Sequence, residues 1–228
     1  MKISEVKTAK GFKDTFNLYM IEKARLVGDL EMPYINKYDG PIPTKIVNCV
    51  THKLNAVEYF IHFYMFDYHF DNKNSLWYGS QRESSAVDRI ITRLKQYQGV
   101  IAPDYSIYTD MPLIMQYWNI YRVRTIHVWL ESLGIKSIFN IRWGDYRTYD
   151  VAFFGIEKHS TLAVGSHGLI KNVLQRHTFI TGFVEMVKRL EPDNLIIYGP
   201  YTEEMKSICE INHVNVIHFD SEQVEARK

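Results

Sequence analysis

The sequence predicts an α/β protein built from repeated βα units that form a largely parallel sheet. Three observations carry that prediction. Short apolar runs recur along the chain, near residues 45–50, 56–66, 100–102, 137–141, 161–164, 195–197 and 214–219. Segments with helical periodicity separate most of them. The runs are continuously apolar rather than alternating, the pattern of strands covered on both faces. Parallel strands joined by helices form right-handed βαβ units. Such strands are fewer than the eight of a standard (β/α)8 barrel, which favours an open sheet over a partial or distorted barrel.

Taken in order, residues 1–44 read as an N-terminal appendage and 45–228 as one α/β domain. Phe16–Leu26 has the spacing of an amphipathic helix, and Pro33, Gly40, Pro41 and Pro43 break the next stretch into loops. Lys45–Val50 and Ala56–Phe66 are predicted strands, the second ending abruptly at Asp67, with Trp77 and Tyr78 in the next loop. Ser85–Gln98 places Val87, Ile90, Ile91 and Leu94 on one helical face and stops at Gly99. The stretch from Gly99 to Gly134 is the centre of the chain: a brief strand, a polar loop and one long helix. Asp110 is the predicted N-cap, Pro112 lies in the first turn, and Gly134 closes the helix as a C′ glycine. Ile114, Trp118, Tyr121, Thr125 and Val128–Trp129 are the predicted inward face. Gln116, Asn119 and Arg122 form an i, i+3 line on the other side. Strands at 137–141, 161–164, 195–197 and 214–219 alternate with helices at 170–190 and 202–211.

Composition excludes several classes. With 228 residues, 46% hydrophobic and 14% aromatic, the chain has enough apolar surface for a full core. A net charge of +1 gives no bulk argument for nucleic acid. Charge is nevertheless uneven: Lys2, Lys7, Lys10, Lys13, Lys23 and Arg25 make the start basic, and Glu203, Glu204, Glu210, Asp220, Glu222 and Glu225 make the end acidic. Cys49 and Cys209 have neither metal nor redox spacing, so two reduced, buried thiols are expected. No apolar run is long enough for a bilayer and no signal peptide is evident, which points to a cytoplasmic protein without a membrane partner.

Function is sought where polar residues collect. Each predicted strand is followed by polar side chains: Asp67 and His69, Asp104 and Ser106, Arg142 and Asp145, Ser166 and His167, Tyr198, Asp220. In a parallel sheet these ends share one edge, where ligands of α/β folds bind. Gly165-Ser166-His167-Gly168 resembles an anion cradle, because glycines admit close backbone approach and turn N–H groups favour phosphate; it lacks P-loop spacing, and a plain tight turn explains it equally well. The candidate catalytic residues are Asp104, His167 and Asp145. The candidate ligand-binding residues are Ser106, Tyr108, Asn119, Arg122, Arg142, Trp143, Gly165, Ser166, Gly168 and Tyr198. Asp67, Asp104 and Asp220 are candidates for a divalent metal or for general-base work. Plainer roles compete: Asp110 and Asp104 as turn caps, Arg142 and Asp145 as a mutual pair, Trp143 as core. The remaining histidines, His52, His62, His127, His159, His177, His213 and His218, show no ligand spacing.

From about Phe63 to Gly199 the sequence resembles an uncharacterised family, domain of unknown function 4417. The resemblance rests on Asp104-Tyr105-Ser106 with Tyr108, Asp110, Met111 and Pro112, and on Gln116, Trp118, Asn119, Tyr121, Arg122 and Arg124. It continues through Arg142-Trp143-Gly144-Asp145, Phe154-Gly155, Gly165 with Gly168, Phe179 with Gly182, and Tyr198-Gly199; the first 44 residues lie outside it. It implies a phage or mobile-element setting in bacterial cytoplasm, and no activity. The residues support two readings. One is a pocket at the strand ends for a nucleotide or another phosphate-bearing ligand, with or without chemistry. The other is an interaction protein that binds a host protein or nucleic acid.

Overall fold

The structure, a computed structural model, describes residues 16–50, 57–72, 75–78 and 84–227. Lys2, Lys7, Lys10 and Lys13 of the basic start, His52 and Ala56 lie outside the described residues.

Nine strands are present among the described residues. A hairpin pairs β1 (Leu26–Val27) with β2 (Met32–Pro33). The other seven are β3 (Ile46–Asn48), β4 (Phe60–His62), β5 (Gly99–Ile101), β6 (Ser137–Asn140), β7 (Thr161–Gly165), β8 (Asn194–Tyr198) and β9 (Asn215–Phe219). They form one sheet in sequence order, every pair parallel. Besides a short helical stretch at 76–78, the helices among the described residues are α1 (Asp67–Phe70), α2 (Ser84–Leu94), α3 (Leu113–Ser132), α4 (Tyr149–Phe153), α5 (Val173–Leu190), α6 (Glu203–Ile211) and α7 (Glu222–Glu225). The sheet curls strongly into a half-barrel, so the partial barrel takes the place of the favoured open sheet. Strand order explains this. An open doubly wound sheet needs a reversal of order to place helices on both faces, whereas sequential order with crossovers of one hand places them all on one side.

Alternation along the strands now has a clear meaning. Ile61, Val100, Phe139, Leu162, Val164, Leu195 and Ile197 belong to the large core beneath the helices. Phe60, Ile101, Ile138, Ala163, Ile196 and Tyr198 form a second, smaller cluster on the concave side. Both faces are buried, which is why the strands read as continuous apolar runs.

Helix α3 buries most of its length. Its C-terminus is a complete Schellman closure: the Gly134 N–H donates to Glu131 O (2.9 Å) and the Ile135 N–H to Leu130 O (3.0 Å), with Gly134 at φ 78°. Its start differs from expectation. Pro112 occupies the N-cap position and no side chain caps the helix, so Asp110 is not the cap. The predicted inward face is also wrong in the first half. Ile114 is 74% and Trp118 43% exposed, while Gln116, Asn119 and Arg122 are buried. The helix is turned so that its polar line meets the loops after β4 and β5, whose backbone needs partners more than the sheet needs another apolar row.

The segment Phe16–Leu26 is not an amphipathic helix. Leu18–Ile21 forms one 3-10 turn, after which pairing with β2 draws Leu26–Val27 into a strand, a tertiary override of local propensity. Met20, Met32 and Ile35 from this region enter the large core, and Ile35 bridges to Ile156. A fully buried Arg124 fastens the region to the rest of the fold. Its guanidinium donates to Pro33 O on one side and to Val151 O, Ala152 O and Phe154 O at the end of α4 on the other. Burial pulls its pKa down to about 9. Trp77, expected in a loop, is helical and buried. Cys49 and Cys209 are free and buried, their thiols pushed up to about 12 and about 11 by burial. No described helix is long and apolar enough to cross a membrane.

Candidate functional site

The carboxyl ends of β4 to β8 surround a cleft of about 610 Å3. Asp104, Ser106 and Tyr108 reach it from the loop after β5, Arg142 from β6, Gly165, His167 and Gly168 from β7, and Tyr198 from β8. Of the residues proposed from sequence, these eight converge.

Asp104 and Arg142 form the polar floor, with side chains 13% and 11% exposed and 3.6 Å apart. Asn140 Nδ2 donates to Asp104 Oδ1 (2.8 Å), and the Tyr64 hydroxyl donates to Asn140 Oδ1 (2.9 Å). Arg142 Nη1 also donates to Gly165 O (3.2 Å). Burial pushes the Asp104 carboxyl above its ordinary range, and Asp67 adds to this; Arg142 and Asn140 pull the other way without cancelling it. Arg142 therefore pairs with Asp104, not with Asp145. Gly165 leaves room for this floor: a Cβ there would lie 2.9 Å from the Tyr64 ring and 3.3 Å from Asp104 Oδ2. Tyr64 in turn stacks on Tyr198, with centroids 4.5 Å apart and planes at 7°.

The turn after β7 precedes α5 by several residues, since Asn172 caps the helix at Val173. The Leu169 N–H closes the turn on Ser166 O (3.1 Å), and Gly168 supplies the positive φ of 84° that this reversal requires. The Ser166 N–H bonds Tyr198 O, so two turn donors are spent. Those of His167 and Gly168 have no backbone partner among the described residues. Partial burial, then Lys171, hold the His167 imidazole below its ordinary pKa.

Other sequence candidates are placed elsewhere. Ser166 is buried and its hydroxyl is given to Pro200 O (2.7 Å). Trp143 packs in the core, stacked on Phe179 at 5.2 Å. Asp145 accepts from the Arg147 backbone (3.0 Å) and side chain (2.8 Å), bonds that hold its pKa down, and does not line the cleft. Asn119 Nδ2 donates to Ser106 O (2.6 Å), while Arg122 pairs with Asp71 (2.5 Å) under the Tyr105 ring. Both anchor loops rather than line the cleft. Asp67 receives the Ser106 N–H and hydroxyl, and Asp220 lies 3.8 Å from His218. Among the described residues, no three His, Cys, Asp or Glu side chains are grouped to hold a metal ion.

Sequence reasoning missed Phe66, Lys171, Gln175 and Glu222, all of which line the cleft. Lys171 stands three residues past Gly168, and attention to the whole β7–α5 connection would have found it. Glu222 arrives from α7, where its N–H bonds the Tyr198 hydroxyl (3.2 Å); no local pattern marks it. A second cavity of about 390 Å3, between the β1–β2 turn and α4, is lined mainly by Val27, Leu30, Met32 and Phe154. Its charged residues are Asp29, Asp150 and Arg189, the last two paired with each other, so it offers less convergent chemistry.

Comparison with known proteins finds relatives in two mycobacteriophages. The Gene 1 protein of Mycobacterium phage L5 is 33% identical over 139 residues, covering 61% of this chain and 56% of that protein. The Gene 1 protein of Mycobacterium phage D29 is 30% identical over 139 residues, 61% of this chain and 48% of that protein. The chain thus spans about half the length of these relatives. No solved structure matches it. The family described as a domain of unknown function (DUF4417) matches residues 24–220, extending into the N-terminal region beyond the Phe63–Gly199 stretch that the motifs mark. The chain belongs to that family.

Proposed function

We propose that the cleft at the strand ends binds a small ligand bearing a phosphate or comparable anion, a nucleotide being the class that suits it, and that Asp104 handles a proton there. One observation carries the reading: a cleft of nucleotide size at the carboxyl edge of a parallel sheet, lined by both Arg142 and Lys171. Arg142 brings a guanidinium, already paired through Nη1 with Asp104 and Gly165 O, and Lys171 a flexible ammonium, two cations of the kinds that hold a phosphate. The unspent N–H groups at His167 and Gly168 add donors of the kind that line anion nests. Burial raises the Asp104 carboxyl above its ordinary range beside a guanidinium, a shift of the kind found at groups that take or give a proton.

The test is a thermal-shift series with phosphate, sulfate and mononucleotides. A hundredfold excess over the dissociation constant is expected to add about 2.7 kcal/mol of stability. Lys171→Ala and Arg142→Lys should reduce that shift. If no anion stabilises the protein, the reading fails.

A second reading, contact with another protein, is favoured by the exposed row Ile114, Met115 and Trp118 on α3. Ile114→Lys would then abolish a partner captured by the unmodified protein while leaving the thermal shifts intact. Capture unchanged by that substitution would remove this face from consideration.

A further inference from the structure

At the mouth of the cleft the aromatic surface does not stop where the cleft does. Phe66 lines it, yet its ring is 65% exposed. Tyr68, outside the lining, is 68% exposed and lies parallel to Phe66, with centroids 5.8 Å apart and planes at 9°. The His69 ring is next, at 4.1 Å from Tyr68, and belongs again to the cleft lining. Tyr108, 50% exposed, stands on the same cleft. Isolated exposed rings are ordinary on protein surfaces, but a parallel Phe66–Tyr68 pair, with His69 tilted at 41° beside it, leading out of a cleft that holds Arg142 and Lys171 beside Asp104 and Glu222 is not.

We propose that the ligand of this cleft is the terminal nucleotide of a single-stranded nucleic acid, whose next bases stack on Phe66 and Tyr68. The proposal rests on the anion-binding reading of the cleft and names its substrate class. A free mononucleotide would fill the cleft and make no use of Tyr68. A duplex would hide its base faces within its own stack. A strand end uses both parts: Arg142 and Lys171 attract the phosphates, and the rings accept base planes regardless of sequence. The near-neutral net charge fits this arrangement, because affinity comes from stacking and a few local cations rather than from a basic surface.

The experiment uses the full chain and a fluorescein-labelled oligothymidylate of about eight nucleotides, within the span such sites cover. Anisotropy is read for the strand with and without a 5′-phosphate, for its ribo-counterpart and for a duplex of equal length; thymidine monophosphate is tracked by thermal shift. The single strand is expected to bind at least tenfold more tightly than the mononucleotide and the duplex. The stronger of the deoxy and ribo arms names the source. Tyr68→Ala should weaken strand binding about tenfold, Tyr68→Phe should restore it, and neither should alter the mononucleotide shift or the melting temperature. A mononucleotide that binds as well as the strand, equal binding of the duplex, or strand binding indifferent to Tyr68→Ala would overturn the proposal while leaving the anion site standing. Failure of strand and mononucleotide together would remove both.

Discussion

Replacing Arg122 by methionine isolates the device that holds the cleft loops in place. The guanidinium donates to Asp71 Oδ2 at 2.5 Å and to Asn119 Oδ1 at 2.7 Å, and it lies 3.8 Å from the Tyr105 ring centroid. Its side chain is 7% exposed and that of Asp71 9%. Methionine fills similar space, so the chief loss is the charge partner of a buried carboxylate, which costs about 3–5 kcal/mol. That is a large share of the roughly 5–15 kcal/mol typical of a domain. Urea unfolding at pH 7 should show it as a lower midpoint with an unchanged slope.

Protonation supplies an internal check. Burial pushes the Asp71 carboxyl above its ordinary range, with Arg122 opposing the rise. Without Arg122 the rise is larger, so the folded state binds the proton more tightly than the unfolded chain. Stability then falls as pH rises through the folded pKa, and the deficit of Arg122→Met should shrink as the pH is lowered from 7. Adding Asp71→Asn should recover part of the loss, because the pair is coupled. A deficit below about 1 kcal/mol, or additive effects in the double variant, would refute the claim that this pair anchors the loops.

Trp118→Ala should cost only about 1 kcal/mol in urea unfolding, since the ring is 43% exposed and rests on Tyr121 and Trp77 rather than in the core. Gly182→Ala should cost roughly 1–3 kcal/mol by the same measurement, because a Cβ would collide with the Trp143 indole. Asp104→Asn should leave the melting temperature at pH 7 unchanged or raised, since ionising this buried carboxyl opposes folding; a large drop would make it a structural ion pair. Burial raises the Glu131 pKa to about 7, with Asp39 adding and Lys136 opposing. The folded chain therefore holds this proton to higher pH than the unfolded one, and stability contributed by Glu131 falls between about pH 4.5 and 7. Glu131→Gln should flatten that part of the pH–stability curve.

The strands were legible because burial on both faces leaves an unbroken apolar run, as at Leu195–Ile197 and Leu162–Val164. Curvature was not, because it depends on the order in which strands pair, and no single strand encodes it. The cleft was legible in part for the same topological reason: Asp104, Arg142 and Gly165 each lie at or just past a strand end, and parallel strands deliver their ends to one edge. Asn119 and Arg122 misled because a polar line on a long helix reads as solvent-facing or ligand-facing. The structure uses it to satisfy loop backbone and a buried Asp71. Asp145 misled because proximity to Arg142 in sequence hid its pairing with Arg147 two residues on. Glu222 and the Phe66–Tyr68 stack depend on how α7 and α1 fold back over the edge, information that only the tertiary structure holds.

The carbonyls around Arg124 impose an order on events during synthesis. The guanidinium is made after Pro33 but before Val151, Ala152 and Phe154. While those three are still missing, a settled α3 would hold a buried cation with one carbonyl for company. The cheaper course is to leave that part of the helix hydrated. The N-terminal hairpin is thus expected to close against α3 only after α4 has emerged, although the hairpin is the first of these pieces to be translated. Amide exchange should accordingly find the hairpin and the end of α4 opening together as one unit, separated as they are by more than a hundred residues of chain.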